Sequence, residues 1–382
     1  MKAMEVLSAL TDVRDAYVLD SALPPVREAP PAPPRRWRRG KDGSLGRVFS
    51  DGWVVAAVCM LVALGTLGGM IYLGQNPPTP PISTESPTIL PPESGDHPDT
   101  EGLVTESLTF ISHGDGTCSV KASGAFGSDP EDSRLVIPAA SPDGDRVTAI
   151  ADYGFIWQKG MKSVTLPDTL ETIGQWAFAE CESLGSVELP ASLKRIGTAA
   201  FLECTALEEL ILPEGLTALG DSAFSTCTSL ARVELPSTLK SIPQWAFYNC
   251  AALEELTLPE GVETIGYSAF YGCTSITSLS LPASLTTLSK GAFAACGRLL
   301  SVTCREGLTT VESLAFDGCR SLASVTLPAT LETLAPDAFR DCTSLRTAVF
   351  TGTRSRWRAL IGDTSPLPTG CNTHCADGVV KH

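Results

Sequence analysis

The amino-acid sequence predicts an α/β repeat solenoid with a parallel β-sheet on its concave side and short helical or irregular segments on its convex side, preceded by one transmembrane helix. Three observations support this prediction. Residue types recur every 23 positions in the C-terminal part, a 22-residue segment carries no charge, and a stretch rich in Pro, Ser and Thr separates the two. A fixed period of about 20 to 50 residues is typical of stacked supersecondary units.

The uncharged segment runs from Trp53 to Gly74. At about 1.5 Å per residue it matches a bilayer core of about 30 Å, and it is longer than the apolar region of a cleaved signal peptide. Basic residues cluster between Arg35 and Arg47, and no Lys or Arg follows the segment until Lys121. The positive-inside rule therefore predicts a single-pass cell-membrane protein with a cytoplasmic N-terminus and an extracellular C-terminal domain.

The regions around this helix, residues 53–74, differ in composition. Residues 1–52 form the predicted cytoplasmic tail, a short amphipathic helix followed by a Pro/Arg-rich juxtamembrane part. Residues 75–104 are too poor in apolar residues to build a core, which predicts a disordered stalk of about 90 Å at about 3.1 Å per residue. Gly65 and Gly69 form a GxxxG pair through which two helices could dimerise weakly; the alternative is that small residues are simply tolerated in lipid.

The formal net charge of −15 comes from the C-terminal part of the chain. Residues 75–382 contain 19 Lys and Arg against 36 Asp and Glu. An acidic surface repels phosphate backbones, so we expect no nucleic-acid partner. A cationic protein or a divalent ion fits this charge better, and solubility alone also accounts for it.

The repeat is marked by a Pro, an Ala-Phe pair and a Cys at constant spacing. Eight consecutive units of 23 residues define a predicted repeat array at residues 163–346. The repeat Phe and Cys residues are Phe178, Phe201, Phe224, Phe247, Phe270, Phe293, Phe316 and Phe339, and Cys181, Cys204, Cys227, Cys250, Cys273, Cys296, Cys319 and Cys342.

A representative unit is Ser186–Glu208. Val187 and Leu189 alternate with polar residues, which predicts a short strand, and Pro190 ends it because proline cannot donate to a β-ladder. The later apolar residues have helical spacing, which predicts a short helical return on the convex side. That spacing comprises Ala200, Phe201, Cys204 and Leu207.

The pattern LP-x-x-L-x-x-I-x-x-x-AF-x-x-C-x-x-L resembles the BspA-like leucine-rich repeats of bacterial surface proteins, from about residue 106 onwards. Leu108–Val120 and the segment after it resemble the family's N-terminal hairpin and first, longer repeat, which predicts a cap and first repeat at residues 105–162. Val349–Gly362 and His374–Val380 resemble its C-terminal cap, here residues 347–382. The resemblance implies cell-surface adhesion or protein binding, with no enzyme activity and no cofactor.

The eight repeat cysteines are expected to be buried free thiols, since each occupies an inward position where Cys behaves as a small apolar residue. Disulfides between neighbouring coils are the alternative, because the backbone spacing would permit them. A bridge inside the cap also remains open among the cysteines outside the repeat pattern. In the C-terminal domain these are Cys118, Cys304, Cys371 and Cys375.

No catalytic or metal site is predicted. Cys371, His374 and Cys375 lack the second ligand pair that a structural zinc needs. The repeats contain no histidine to act as a base, and no nucleophile–base pair or phosphate loop stands out. The histidines are His97, His113, His374 and His382.

Two sets of residues are candidates for binding a partner. Acidic residues gather on the outward side of the concave sheet around Ile211, where a basic or polar protein segment could lie; an ordinary solvated sheet face is the alternative. Aromatic residues near the Ala-Phe pairs could anchor a partner or could cover the flank of the solenoid. The candidates are Glu188, Glu209, Ile211, Arg232, Glu234, Glu255 and Thr257 on the sheet, and Trp176, Trp245, Tyr248 and Tyr271 near the Ala-Phe pairs.

The sequence therefore predicts a membrane-anchored extracellular protein that mediates protein binding or adhesion at a bacterial surface. The expected partner is an extracellular protein, either from the matrix or epithelium of a host or from the cell's own envelope. The alternative is a transmembrane sensor or regulator in which binding outside the cell is relayed to the cytoplasmic tail.

Overall fold

The computed structural model describes residues 108–124, 134–362 and 364–382, all within one compact unit, Glu93–His382. The predicted tail, transmembrane helix with Gly65 and Gly69, and stalk lie outside the described residues. In the part of the chain that is described, no helix is long and apolar enough to span a membrane.

An antiparallel hairpin precedes the repeats, as the resemblance implies. Its strands are β1 (Leu108–Ser112) and β2 (Thr117–Ala122), with Leu108 opposite Ala122. The side of β2 away from β1 pairs in parallel with the first strand of the second ladder described below. The hairpin thus covers the open edge that a solenoid would otherwise expose.

Each coil contributes two short strands, and equivalent strands of successive coils form two ladders in which most neighbouring strands pair in parallel. The first-ladder strands are β3 (Arg134–Val136), β5 (Ser163–Thr165), β7 (Ser186–Glu188), β9 (Glu209–Ile211), β11 (Arg232–Glu234), β13 (Glu255–Leu256), β15 (Ser278–Ser280), β17 (Ser301–Thr303), β19 (Ser324–Leu327) and β21 (Thr347–Phe350). The second-ladder strands are β4 (Arg146–Ile150), β6 (Thr172–Ile173), β8 (Arg195–Ile196), β10 (Ala218–Leu219), β12 (Ser241–Ile242), β14 (Thr264–Ile265), β16 (Thr287–Leu288), β18 (Thr310–Val311) and β20 (Thr333–Leu334).

Strand pairing follows the sequence period. Ser163 lies opposite Ser186, and Val164 lies opposite Val187, so each partner is one repeat further along the chain. In β7 the central residue is buried and the two flanking residues are exposed, which confirms the alternation predicted for the first ladder. The second ladder is too short to give a sequence pattern, although its Ile196 is buried as expected.

The prediction of a short helix on the convex side of each repeat is wrong. This segment is a series of turns. The amide of Phe201 donates to the carbonyl of Ala223 in the next coil at 2.8 Å, not to a residue one helical turn back. Two residues of the segment, Ala199 and Glu203, have positive φ values of 53° and 57°, which a right-handed helix cannot contain. The three- and four-residue spacing of Ala200, Phe201, Cys204 and Leu207 therefore reflects consecutive turns that share a buried side.

The core is a continuous stack of phenylalanine rings with a buried cysteine beside each. Neighbouring rings stack with centroids 5.1 Å apart between Phe270 and Phe293, and 6.0 Å apart at the widest point of the repeats, between Phe293 and Phe316. The thiol of Cys227 donates to the carbonyl of Phe201 at 3.2 Å, and the other seven repeat thiols make the equivalent bond. The repeat cysteines are thus buried free thiols.

A helix and a second hairpin close the C-terminal end. Helix α1 (Arg354–Ile361) begins after Thr353, whose hydroxyl accepts a hydrogen bond from the Arg356 amide at 3.3 Å. Its Trp357 is fully buried, 5.2 Å from the ring of Phe350. Strands β22 (Asn372–Cys375) and β23 (Gly378–Lys381) form an antiparallel hairpin, and β22 pairs in parallel with β21.

The imidazole of His382 is held inside this cap. Its Nδ1 lies 3.0 Å from the Ser365 hydroxyl, and its Nε2 lies 2.7 Å from the buried Thr373 hydroxyl. Burial lowers the pKa of His382 below its ordinary value. The cap therefore favours a neutral ring.

We expect the repeat thiols to resist alkylation at about pH 8 while the protein is folded, because burial raises the pKa of Cys227 to about 12 and a thiol reacts as its thiolate. The same thiols should react fully after unfolding in guanidinium chloride. Peptide mass spectrometry after labelling measures each site. The partly buried Cys375 is the internal control, and repeat thiols that label as fast as Cys375 would contradict this burial.

We expect the protein to lose stability as the pH falls below about 6.5, the ordinary pKa of histidine. In that range the unfolded chain takes up a proton at His382 while the folded cap, whose His382 pKa is lowered, resists it. Urea midpoints at about pH 7.5 and pH 5.5 should differ more for the parent than for His382→Asn. An equal difference in the two proteins would show that His382 does not contribute.

Candidate binding surface

The strand face is the outward surface of the first ladder, formed by the first residue of each strand and the residue two positions after it. In β7, β9 and β11 both of these residues are exposed and the middle residue is buried. Strand pairing places Glu209 beside Arg232 and Ile211 beside Glu234. The next strand adds Glu255 beside Arg232, so five of the predicted sheet residues form one patch.

Two other predicted residues extend this patch. Glu188 is exposed at the end of β7, and Thr257 is exposed just after β13. The structure therefore brings all seven predicted sheet residues onto the strand face. The 23-residue spacing that predicted these outward positions in the sequence is also the offset between paired residues on neighbouring strands.

Arg232 partly neutralises the acidic patch. Its Nη1 lies 2.7 Å from a carboxylate oxygen of Glu209, and its Nη2 contacts Glu234. These side chains are about half exposed, so the pairs add little to stability, on the order of 0 to 1 kcal/mol each. Among the described residues, Glu188 and Glu255 form no ion pair, and they leave uncompensated negative charge on both sides of Arg232.

Ile211 is a large apolar side chain in the middle of these charges. Its exposed fraction is 54%, the highest of the large hydrophobic residues in the described part of the chain. The burial of β9 is supplied by its central residue, Leu210, so the fold does not require an apolar residue at position 211. An exposed apolar side chain ringed by polar residues is typical of a protein-binding surface.

A shallow depression of about 360 Å³ lies on the strand face, and one of the residues that line it is Glu234, the strand partner of Ile211. Carboxylates of Glu234 and Glu255 stand at its edge, while Leu235 and Pro259 supply apolar surface. This combination suits a long basic side chain, because its methylene stem packs on apolar atoms while its charged end meets a carboxylate. The remaining lining residues are Arg232, Val233 and Thr257.

The predicted aromatic contacts lie on the turn segments, away from the strand face. Trp245 packs edge-on against Tyr267, with ring centroids 5.4 Å apart, and Tyr248 stacks on Tyr271 at 4.9 Å. Trp176 lies three coils earlier in the same repeat position, half-buried, and is not part of this group. Tyr267, on the coil that follows Trp245, completes this group.

The described residues contain no group of three or more His, Cys, Asp or Glu placed to hold a metal ion. Within the described ranges, the cysteines outside the repeat pattern are free thiols, and burial raises the pKa of Cys371 to about 11. The other three are Cys118, Cys304 and Cys375.

Stacked parallel strands with one Phe-centred turn segment per coil define a leucine-rich-repeat solenoid. A family model described as the BspA type leucine rich repeat region matches in six copies, at residues 148–276 and 220–346. These ranges together span more than half of the 382 residues. The chain belongs to the BspA-type leucine-rich-repeat family.

No curated protein matches the sequence. Similar solved structures include a leucine rich cell surface protein from Faecalibacterium prausnitzii, with 24% identity, 72% of this chain and 99% of that chain covered, and a TM-score of 0.32. The leucine rich repeat protein of T. pallidum has 25% identity, coverage of 58% and 91%, and a TM-score of 0.42. The pneumococcal vaccine antigen PcpA has 18% identity, coverage of 72% and 93%, and a TM-score of 0.35.

Proposed function

We propose that this protein is a bacterial surface protein that binds an extracellular protein segment through its strand face. The observation that carries the proposal is the patch around Ile211, an exposed apolar residue with carboxylates on neighbouring strands. Membership of the BspA-type family supports protein binding or adhesion as the general role. Leucine-rich-repeat solenoids generally act as binding scaffolds, and we propose no catalytic activity and no cofactor for this one.

The chemistry of the patch indicates the kind of segment it would bind. A basic side chain would enter the depression beside Glu255 with its stem on Leu235 and Pro259, and a neighbouring apolar residue would cover Ile211. The parallel strands supply a row of such positions at the spacing of a β-sheet, about 4.8 Å. An extended, basic and partly apolar protein segment fits this arrangement.

The location of the protein completes the proposal. The uncharged segment Trp53–Gly74, with basic residues before it, would anchor the chain in the cell membrane with the solenoid outside. Residues 75–104 would then hold the solenoid away from the membrane. A partner from the matrix or epithelium of a host and a partner from the cell's own envelope are both reachable from there.

We expect Glu188→Lys, Glu209→Lys and Glu234→Lys, combined in one variant, to weaken capture of the partner by about tenfold or more, because three attractive charges become repulsive. Full-length protein on beads is offered basic host-matrix proteins and, separately, solubilised envelope proteins, and the captured proteins are quantified. The matched control reverses Asp143, Glu263 and Glu332, which are exposed and lie off the strand face. Equal loss in both variants, or in neither, would exclude the strand face.

The transmembrane sensor remains the second candidate, on the strength of the apolar spacing in residues 1–23. Removing residues 2–34 keeps the basic flank that sets orientation. If the protein only binds and adheres, this deletion should leave cell adhesion and the transcriptional response to the captured partner unchanged. Loss of that response with full adhesion would instead establish signalling through the tail.

A further inference from the structure

The solenoid carries a second exposed group that its packing does not require. The aromatic cluster is Trp245, Tyr248, Tyr267 and Tyr271, on the turn segments of two successive coils. Trp245 and Tyr267 have exposed fractions of 37% and 41%. Both lie outside the stacked phenylalanine core, so their contribution to the fold must be judged from the neighbouring coils.

Neighbouring coils place small residues where the cluster has rings. One coil before Trp245 and Tyr248 the equivalent residues are Ser222 and Ser225, and one coil after Tyr271 the equivalent residue is Ala294. Those coils keep the same strands, the same core phenylalanine and the same cysteine bond. The fold therefore does not need aromatic side chains at these positions.

The residues on either side of the tyrosine pair are shorter than its rings. Tyr248 and Tyr271 stack with only 9° between their planes, so the outer face of each ring is directed along the solenoid axis. The equivalent residues in the adjoining coils, Ser225 and Ala294, are buried and too short to cover a whole ring, and both tyrosines are partly exposed. A flat aromatic ring that extends past short side chains can receive a flat ligand surface.

Charged residues are few around the cluster, in contrast to the rest of this acidic domain: Asp221 lies one coil before Gln244, and Lys290 lies one coil after Tyr267. No Asp, Glu, Lys or Arg occurs within residues 241–253 or 264–289. The polar groups nearby are three phenol hydroxyls and the amides of Gln244 and Asn249. The Gln244 amide is oriented by the Asp221 carboxylate, 2.8 Å away. Burial raises the pKa of Tyr248, which keeps that phenol neutral and able to donate a hydrogen bond.

We propose that the aromatic cluster binds an uncharged polysaccharide, at a site separate from the strand face. A sugar ring presents an apolar C–H face that stacks on an aromatic ring and a rim of hydroxyls that pair with phenols and amides. Successive sugars of one chain would contact the two outer faces of the pair formed by Tyr248 and Tyr271. The strand face offers several carboxylates to a basic peptide, whereas the cluster offers mainly aromatic rings, phenols and amides.

The test uses full-length protein in a detergent without a sugar headgroup, immobilised for biolayer interferometry. The probes are dextran, galactomannan and mixed-linkage β-glucan, with anionic polygalacturonate as the charged comparison. The variant combines Trp245→Ser and Tyr248→Ser, which copy the residues of the preceding coil and so preserve the fold. Tyr153→Ser is the matched control, since Tyr153 is an exposed aromatic residue at the Trp245 position of another coil.

We expect at least one neutral polysaccharide to bind the parent, Tyr153→Ser and the strand-face variant equally, and to bind the double variant about tenfold more weakly. Thermal unfolding of the double variant should match that of the parent. The proposal fails if the parent binds none of the neutral probes, if polygalacturonate binds better than all of them, or if the double variant binds as tightly as the parent.

Two further results would assign the cluster to another occupant and overturn the proposal. If a synthetic peptide of residues 75–104 binds the parent and not the double variant, the occupant is the chain's own proline-rich segment. If sedimentation shows a dimer of the parent and a monomer of the double variant, the cluster is a contact between two copies.

Discussion

The hydrogen bond from each repeat phenylalanine to the next coil is the constraint on which the solenoid depends. The Phe amide reaches the carbonyl of the Ala one residue before the next repeat Phe, at 2.7 to 2.9 Å throughout the repeats. The same 23-residue step stacks the rings. It also brings each cysteine thiol to the carbonyl of the repeat phenylalanine one coil earlier, at 3.1 Å for Cys342 and 3.4 Å for Cys296. One added or missing residue between two coils would break all three contacts together, which explains the unbroken 23-residue spacing.

This arrangement separates structural positions from recognition positions. Two residues in most turn segments adopt positive φ, at a typical strain of about 1 kcal/mol each, and the contacts between coils offset it. Outward-facing side chains take no part in these contacts, although the backbone at such positions can, as at Trp245. The patch around Ile211 and the aromatic cluster both occupy such positions, so both can vary without disturbing the core. They differ in chemistry, one acidic with an apolar centre and the other neutral and aromatic.

The sequence period was sufficient to predict the features that every repeat coil shares. The 23-residue step and the alternation around Val187 correctly predicted the first ladder, its register and the buried thiols. The helical return was wrong because consecutive turns with one buried side give the same three- and four-residue spacing as a helix. The second ladder was missed because two residues are too few to show alternation, and the contact between Trp245 and Tyr267 was not predicted because these residues are 22 positions apart in the sequence.

Every junction between repeat coils uses the same contacts, so no position along the repeat array is structurally unique. Recombination within the gene could duplicate or delete a whole 23-residue unit between the hairpin at Leu108–Ala122 and the helix at Arg354–Ile361, and both new junctions would match the old ones. The length of the solenoid and the number of outward-facing positions on it can therefore change by one repeat at a time during evolution.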